Sequence, residues 1–309
     1  MLRQALTAAA RSGRVKGLVT TAPLTRGLVE RFVAGETVDD ALRVTQELHD
    51  QGLLVTLDHL GEDTLDAAQA DAVTQASVEA VERLFDAGLA KTAEVSVKPT
   101  ALGLKLGNGG AKIARDNIAR VASAAKAAGT TVSVDMEDHT TTAETLRLIR
   151  ELRVEFPDLG AVVQGYLRRT VSDCADLTAP GSRVRLVKGA YDEPDAVAFT
   201  SPGEVDRSFV RCMRTLMAGE GYPMIATHDP RLIEIAGALA LLNERPNDSF
   251  EYQMLYGIRP DEQRRLADAG ARVRVYVPYG DDWYGYLMRR LAERPANLGF
   301  FLRSLVTKS

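Results

Sequence analysis

The chain has 309 residues, 45% of them hydrophobic, 26% charged and 6% aromatic, and a formal net charge of −4. This balance excludes a disordered or fibrous chain, supplies apolar material for a large core and leaves no basic footprint for nucleic acid. The apolar run at residues 236–242 is far too short to cross a bilayer.

The first 29 residues hold five basic side chains (Arg3, Arg11, Arg14, Lys16, Arg26) and no acid. No apolar signal core follows, so this stretch reads as a leading helix packed on the domain, with peripheral contact at the inner face of a membrane as the alternative. Cys174 and Cys212 lie 38 positions apart, with neither metal-ligand nor disulfide-framework spacing, which points to a reducing, cytoplasmic compartment.

Helical apolar spacing marks residues 24–32 and 38–48. Beyond them eight short β-rich runs (53–57, 94–97, 131–134, 161–163, 184–187, 224–226, 249–254 and 273–277) each precede a helix-length stretch. Helix punctuation supports the rhythm: Asp229-Pro230 reads as N-cap and first helical residue, and Gly129 closes the Ala-rich stretch 118–128. The alternation predicts an α/β fold, a (β/α)8 TIM barrel over residues 51–309 behind a helical extension over residues 1–50. An open doubly wound sheet is the rival, but no GxGxxG follows the first strand.

In such a barrel chemistry belongs at the C-terminal strand ends, so polar residues there are the candidates. The runs end in or near Lys98, Asp135, Gln164, Arg185 with Lys188, and Thr227-His228-Asp229, and the last two add Glu251, Gln253 and Tyr276. Lys98, Arg185 and Lys188 supply positive charge, and Gly189-Ala190 leave room for a close backbone approach, a combination that favours an anionic ligand. On the last helix Tyr286, Arg289, Arg290 and Glu293 share one face by their i, i+3, i+4, i+7 spacing, and the arginine pair makes a fork suited to a carboxylate. Asp135 is placed to offset the charge of that fork.

Asp135, Glu137 and His139 would point one way at an extended strand end, but no HxH or HxxxH pair accompanies them, so no metal site is assigned. Residues 137–139 read instead as the start of a helix that Thr140 to Thr142 could cap. The glycine-rich LGNGG (106–110) reads as a mobile loop over the barrel mouth. The residues alone leave open a Schiff-base aldolase using Lys98 or Lys188, and a carboxylate-binding barrel without turnover. Serine- or cysteine-based catalysis is poorly supported, since there is no GxSxG.

The strings VSVKPTALGL (95–104), SVDMED (133–138), VVQGYLRRT (162–170), VRLVKGAYDEP (184–194), ATHD (226–229), FEYQMLYG (250–257), VYVPYG (275–280) and YLMRRLAERPAN (286–297) together resemble the proline dehydrogenase family in its monofunctional form. The resemblance covers about residues 40–305. It implies an FAD-dependent flavoenzyme on a distorted (β/α)8 barrel that oxidises L-proline to 1-pyrroline-5-carboxylate by hydride transfer from proline C5 to flavin N5. It further implies a membrane quinone as electron acceptor and a 1-pyrroline-5-carboxylate dehydrogenase as a partner in the pathway. By the same resemblance Arg289, Arg290 and Lys98 grip the proline carboxylate, Leu255, Tyr276 and Tyr286 wall the ring, and Asp135 orients the arginine-tyrosine network. Arg185 stands beside flavin N5, while Met136, Gln164, Lys188, Gly189, Ala190, Thr227, His228 and Glu293 match cofactor contacts. Asp192 follows Tyr191 where bifunctional relatives carry a bulky aromatic, a departure that falls at the flavin edge.

Overall fold

The structure is a computed structural model that describes residues 29–61 and 64–293, with only the helix backbone for 289–293. Helix α1 (Val38–His49) leads into strand β1 (Leu54–His59), and its start is set by a capping box in which Thr37 and Asp40 exchange side-chain and backbone bonds. Then follow α2 (Ala67–Asp86), β2 (Ala93–Val97), α3 (Gly110–Ala128), β3 (Val132–Val134), α4 (His139–Leu152), β4 (Gly160–Gln164), α5 (Thr170–Ala175) and β5 (Arg183–Val187). The chain continues through α6 (Pro202–Ala218), β6 (Tyr222–Ala226), α7 (Pro230–Leu242), β7 (Glu251–Leu255), α8 (Pro260–Asp268), β8 (Val273–Tyr279) and α9 (Trp283–Glu293).

The eight strands pair in sequence order, all parallel, and β8 closes on β1. The (β/α)8 barrel read from the alternation is therefore the observed fold, and each expected β-run overlaps a strand. The caps behave as their chemistry dictates: Asp229 accepts from Arg231 N–H with Pro230 in the first turn, and Gly129 ends α3 at φ 73°. Of the expected helix 24–32 only residues 29–32 are described, as one helical turn.

Two local expectations are corrected. Strand β7 begins at Glu251 rather than Ser249, which puts Glu251 at the N-terminal end of the strand instead of the chemical end. Helix α4 is capped by Asp138, whose carboxylate accepts from Thr140 N–H at 2.9 Å, so the threonines are not the cap. The LGNGG segment is a compact set of turns at the start of α3, where a Cβ on Gly110 would come within 2.5 Å of Leu104 O.

Apolar side chains fill the layer between strands and helices: Leu57, Val95, Val134, Leu186, Ile225 and Val275 are all at most 2% exposed. The two-residue strand period turns the alternate residues inward, and here most of these are polar, with Val162 on β4 and Met224 on β6 as apolar exceptions. Strands β2 and β5 are not neighbours, so the Arg183–Glu94 ion pair at 2.5 Å crosses the barrel interior. Glu94 also accepts from Arg185, Thr56, Thr131 and Ser133, while Arg274 grips Glu251 in bidentate fashion at 2.7 and 3.2 Å. The arginines around Glu94 hold its carboxyl far below the ordinary carboxylate range despite full burial. A cavity of about 350 Å³ opens at this N-terminal mouth, lined among others by Glu94, Arg183, Tyr222, Arg272 and Arg274.

Candidate active site

At the opposite mouth the same inward-facing rows end in a cluster of charge. Position 58 continues the Thr56 row of β1, 98 the Glu94–Ser96 row of β2, 135 the Ser133 row of β3, 185 the Arg183 row of β5 and 276 the Arg274 row of β8. Asp135 is the hub: its Oδ1 accepts from the Arg185 guanidinium at 2.7 Å and its Oδ2 from the Tyr276 hydroxyl at 2.7 Å. Lys98 Nζ stands 4.0 Å from Asp135 Oδ2 and donates to Asp58 Oδ1. Arg185 also lies over the Tyr276 ring, 5.2 Å from its centroid, and donates to Ser96 Oγ at 3.2 Å.

Burial sets the protonation states here. It pushes the Asp58 carboxyl above the usual range against the opposing pull of Lys98, with the nearby Asp135 charge adding to the rise. Burial, together with the carboxylates of Asp135 and Asp58, holds the Tyr276 phenol well above its ordinary value, so it serves as a neutral donor. Arg185 is 3% exposed, and its Nε is a buried donor with no acceptor among the described residues.

Strands β3 to β6 end in a ledge beside this cluster. Met136 is 6% exposed, and Gln164, 2% exposed, donates to Glu137 O at 2.7 Å, tying the end of β4 to that of β3. Lys188 donates to Asp206 Oδ1 at 2.6 Å and lies 3.5 Å from Asp229. Asp229 is held down to about 2, chiefly by hydrogen bonds from Arg231 with the Lys188 charge contributing, so this rim stays ionised. Gly189 follows at φ +118°, and a Cβ there would meet the Tyr166 ring at 2.2 Å; only glycine fits. The N–H groups of Gly189 and Ala190 donate to no acceptor among the described residues. Thr227 Oγ1 accepts from Asp229 N–H at 3.1 Å, and His228 Nε2 accepts from Leu255 N–H at 2.9 Å, joining β6 to β7.

Leu255 and Tyr286 meet in a second apolar cluster with Leu60, Ile258 and Leu287, which seats α9 over the ends of β1 and β7. The side chains of Arg289, Arg290 and Glu293 lie outside the described residues, so the fork is placed only by its helix. Asp135, Arg185, Lys98 and Tyr276 are thus brought together, and Met136, Gln164, Lys188, Gly189, Ala190, Thr227 and His228 line the adjoining strand ends. Glu251 and Gln253 are not part of either group: Gln253 donates to Glu251 deep in the barrel at 2.6 Å. The three residues weighed as a metal trio take separate partners, Asp135 as above, Glu137 with Thr100 and His139 with Glu193.

Sequence reading missed Asp58 and Glu193. Asp58 carries a signal, since Thr56 and Asp58 are alternate polar residues in an otherwise apolar strand. Glu193 carries none, because its partner lies 54 positions away.

Comparisons with known proteins speak to the family and the fold. Residues 41–303 match the family model described as proline dehydrogenase. Proline dehydrogenase 1 of Bacillus subtilis is 38% identical over 284 residues, covering 92% of each chain. The proline dehydrogenase of Deinococcus radiodurans is 38% identical over 281 residues, covering 90% of each. In structure the chain is similar to proline utilization A from Bdellovibrio bacteriovorus, with a TM-score of 0.81 at 28% identity over 92% of this chain and 34% of that one. The family model and these relatives show that the chain belongs to the proline dehydrogenase family of oxidoreductases.

Proposed function

We propose that this chain oxidises L-proline to 1-pyrroline-5-carboxylate with FAD bound against the ends of strands β3 to β6. The observation that carries the reading is the Lys98–Asp135–Tyr276–Arg185 cluster at the barrel mouth. A ligand carrying both a carboxylate and a small apolar ring suits a site with a lysine and a phenol over one carboxylate hub.

The residues present fit the cofactor. Arg185 keeps one buried N–H undonated, and the backbone N–H pair at Gly189-Ala190 beside Lys188, which donates to no acceptor among the described residues, offers an anion cradle. The chemistry FAD supplies when bound is acceptance of a hydride from proline C5 at N5 and onward delivery of electrons, which we assign to a membrane quinone. The protein's part is placement and charge. Lys98, with Arg289 and Arg290, holds the substrate carboxylate, and Tyr276, Tyr286 and Leu255 wall the ring. Asp135 holds Arg185 and Tyr276 in register, and Arg185 provides a fixed cation where negative charge would grow. Met136, Gln164, Lys188, Gly189, Ala190, Thr227, His228 and Glu293 are assigned to the cofactor.

The test is the visible spectrum of the purified protein before and after anaerobic addition of L-proline. A flavin spectrum that bleaches supports the reading, and rapid recovery of the colour with a soluble quinone supports the acceptor. A protein that takes up no FAD overturns both.

A further inference from the structure

The segment after β5 that carries Lys188, Gly189 and Ala190 is held from outside the site. Glu193, whose side chain is only 2% exposed, sends its carboxylate back onto the first residue of α4: Oε1 accepts from His139 N–H at 2.8 Å and Oε2 pairs with His139 Nδ1. The Tyr166 hydroxyl donates to Glu193 Oε1 at 3.4 Å and accepts from the Tyr191 N–H. Tyr166 N–H in turn donates to Lys188 O at 2.9 Å, and its ring packs against Gly189. Residues 188, 189, 191 and 193 are therefore clamped around one tyrosine, and that tyrosine's carboxylate partner is anchored on the helix that follows Met136.

We infer that Glu193, acting through Tyr166 and His139, is a positioning residue that sets the affinity for FAD by fixing the backbone at Gly189 and Ala190. The inference rests on the cofactor reading above. It follows from the geometry of the segment: Gly189 stands at φ +118° and neither it nor Ala190 donates its N–H to an acceptor among the described residues, so the shape of the segment is held from its two sides, by the Lys188 ion pairs with Asp206 and Asp229 before the glycine and by the Tyr166–Glu193 clamp after it. An anion cradle binds well only when its N–H groups are preorganised, because a flexible segment loses conformational freedom on binding. Glu193 also joins the two walls of the seat, the end of β3 and the end of β5, without touching the seat itself.

The experiment is titration of the apoprotein with FAD, followed by flavin fluorescence, for wild type, Glu193→Gln and Tyr166→Phe. Tyr166→Phe keeps the ring on Gly189 and removes only the hydroxyl, so it reports even where Glu193→Gln folds poorly. The expected result is a dissociation constant raised about tenfold or more in each variant, the scale on which supporting residues act on a bound centre. The apoprotein melting temperature should stay close to wild type, and the proline KM at saturating FAD should change less than about twofold. Dissociation constants equal to wild type overturn the inference while leaving the cofactor reading intact. A loss of affinity that merely follows a lowered apoprotein melting temperature also overturns it, since the clamp would then be a stabilising contact only. A wild type that binds no FAD overturns the cofactor reading and the inference together.

Discussion

Arg185 on β5 and Tyr276 on β8 are held to the two oxygens of one carboxylate, Asp135, each at 2.7 Å. The arginine is thereby fixed over the phenol ring, and its position depends on an acid two strands away. Asp135→Ala removes both anchors at once. The expected outcome is a fall of about 100-fold in kcat/KM for L-proline, with Asp135→Asn, which keeps one acceptor oxygen, falling less. Steady-state kinetics of the two variants against wild type check the order.

Asp58 is the counterion of Lys98 and was raised by burial, so its ionised form costs folding stability at neutral pH. A carboxyl with a raised folded value is bound more tightly to its proton in the folded state, and its stabilising effect is lost as pH rises through that value. Asp58→Asn should therefore melt no lower than wild type at pH 8, with its relative advantage shrinking towards acid pH. Lys98 keeps an acceptor oxygen but loses its charged partner in the same variant, and the proline KM is expected to rise about tenfold with a smaller change in kcat. Thermal melts across pH, set beside the kinetics, separate the two effects.

Glu94 behaves in the opposite sense. Its carboxyl is depressed by three arginines, so its stabilisation is present above its ordinary value of 4.5 and is lost as pH falls through the folded one. Glu94→Gln leaves Arg183 and Arg185 short of a buried partner and should cost about 3 kcal/mol at neutral pH. Denaturant unfolding at pH 7 and at pH 3 to 4 should show the gap between variant and wild type narrowing in acid.

Gly189→Ala puts a methyl group where the Tyr166 ring already sits, at a φ that disfavours any side chain. About 1–3 kcal/mol of local strain is the expected cost, relieved by displacement of the segment. Purified variant protein should carry less flavin than wild type per chain, read from its absorbance ratio.

Arg289→Met and Arg290→Met test the fork. Losing a charged hydrogen bond to a carboxylate should raise the proline KM about 10- to 100-fold with flavin still bound. Unchanged kinetics in both variants would remove the fork from the substrate site.

The strand-helix rhythm, the helix caps and the polar strand ends are local chemistry, so the barrel and most of its mouth were legible in the amino-acid order. Lys98, Asp135 and Tyr276 each interrupt an apolar run, and a barrel brings such ends to one face whatever their separation. What only the folded chain decided is which of them touch. Asp135 turns to Arg185 and Tyr276 rather than to a metal trio with Glu137 and His139, because those two find Thr100 and Glu193 across the strand ends. The same limit explains Glu251, which the strand register moves to the far end of the barrel beside Arg274. Partner choice among buried charges depends on closing the barrel, a long-range event with no trace in local spacing, and the Glu193 clamp is the clearest product of it.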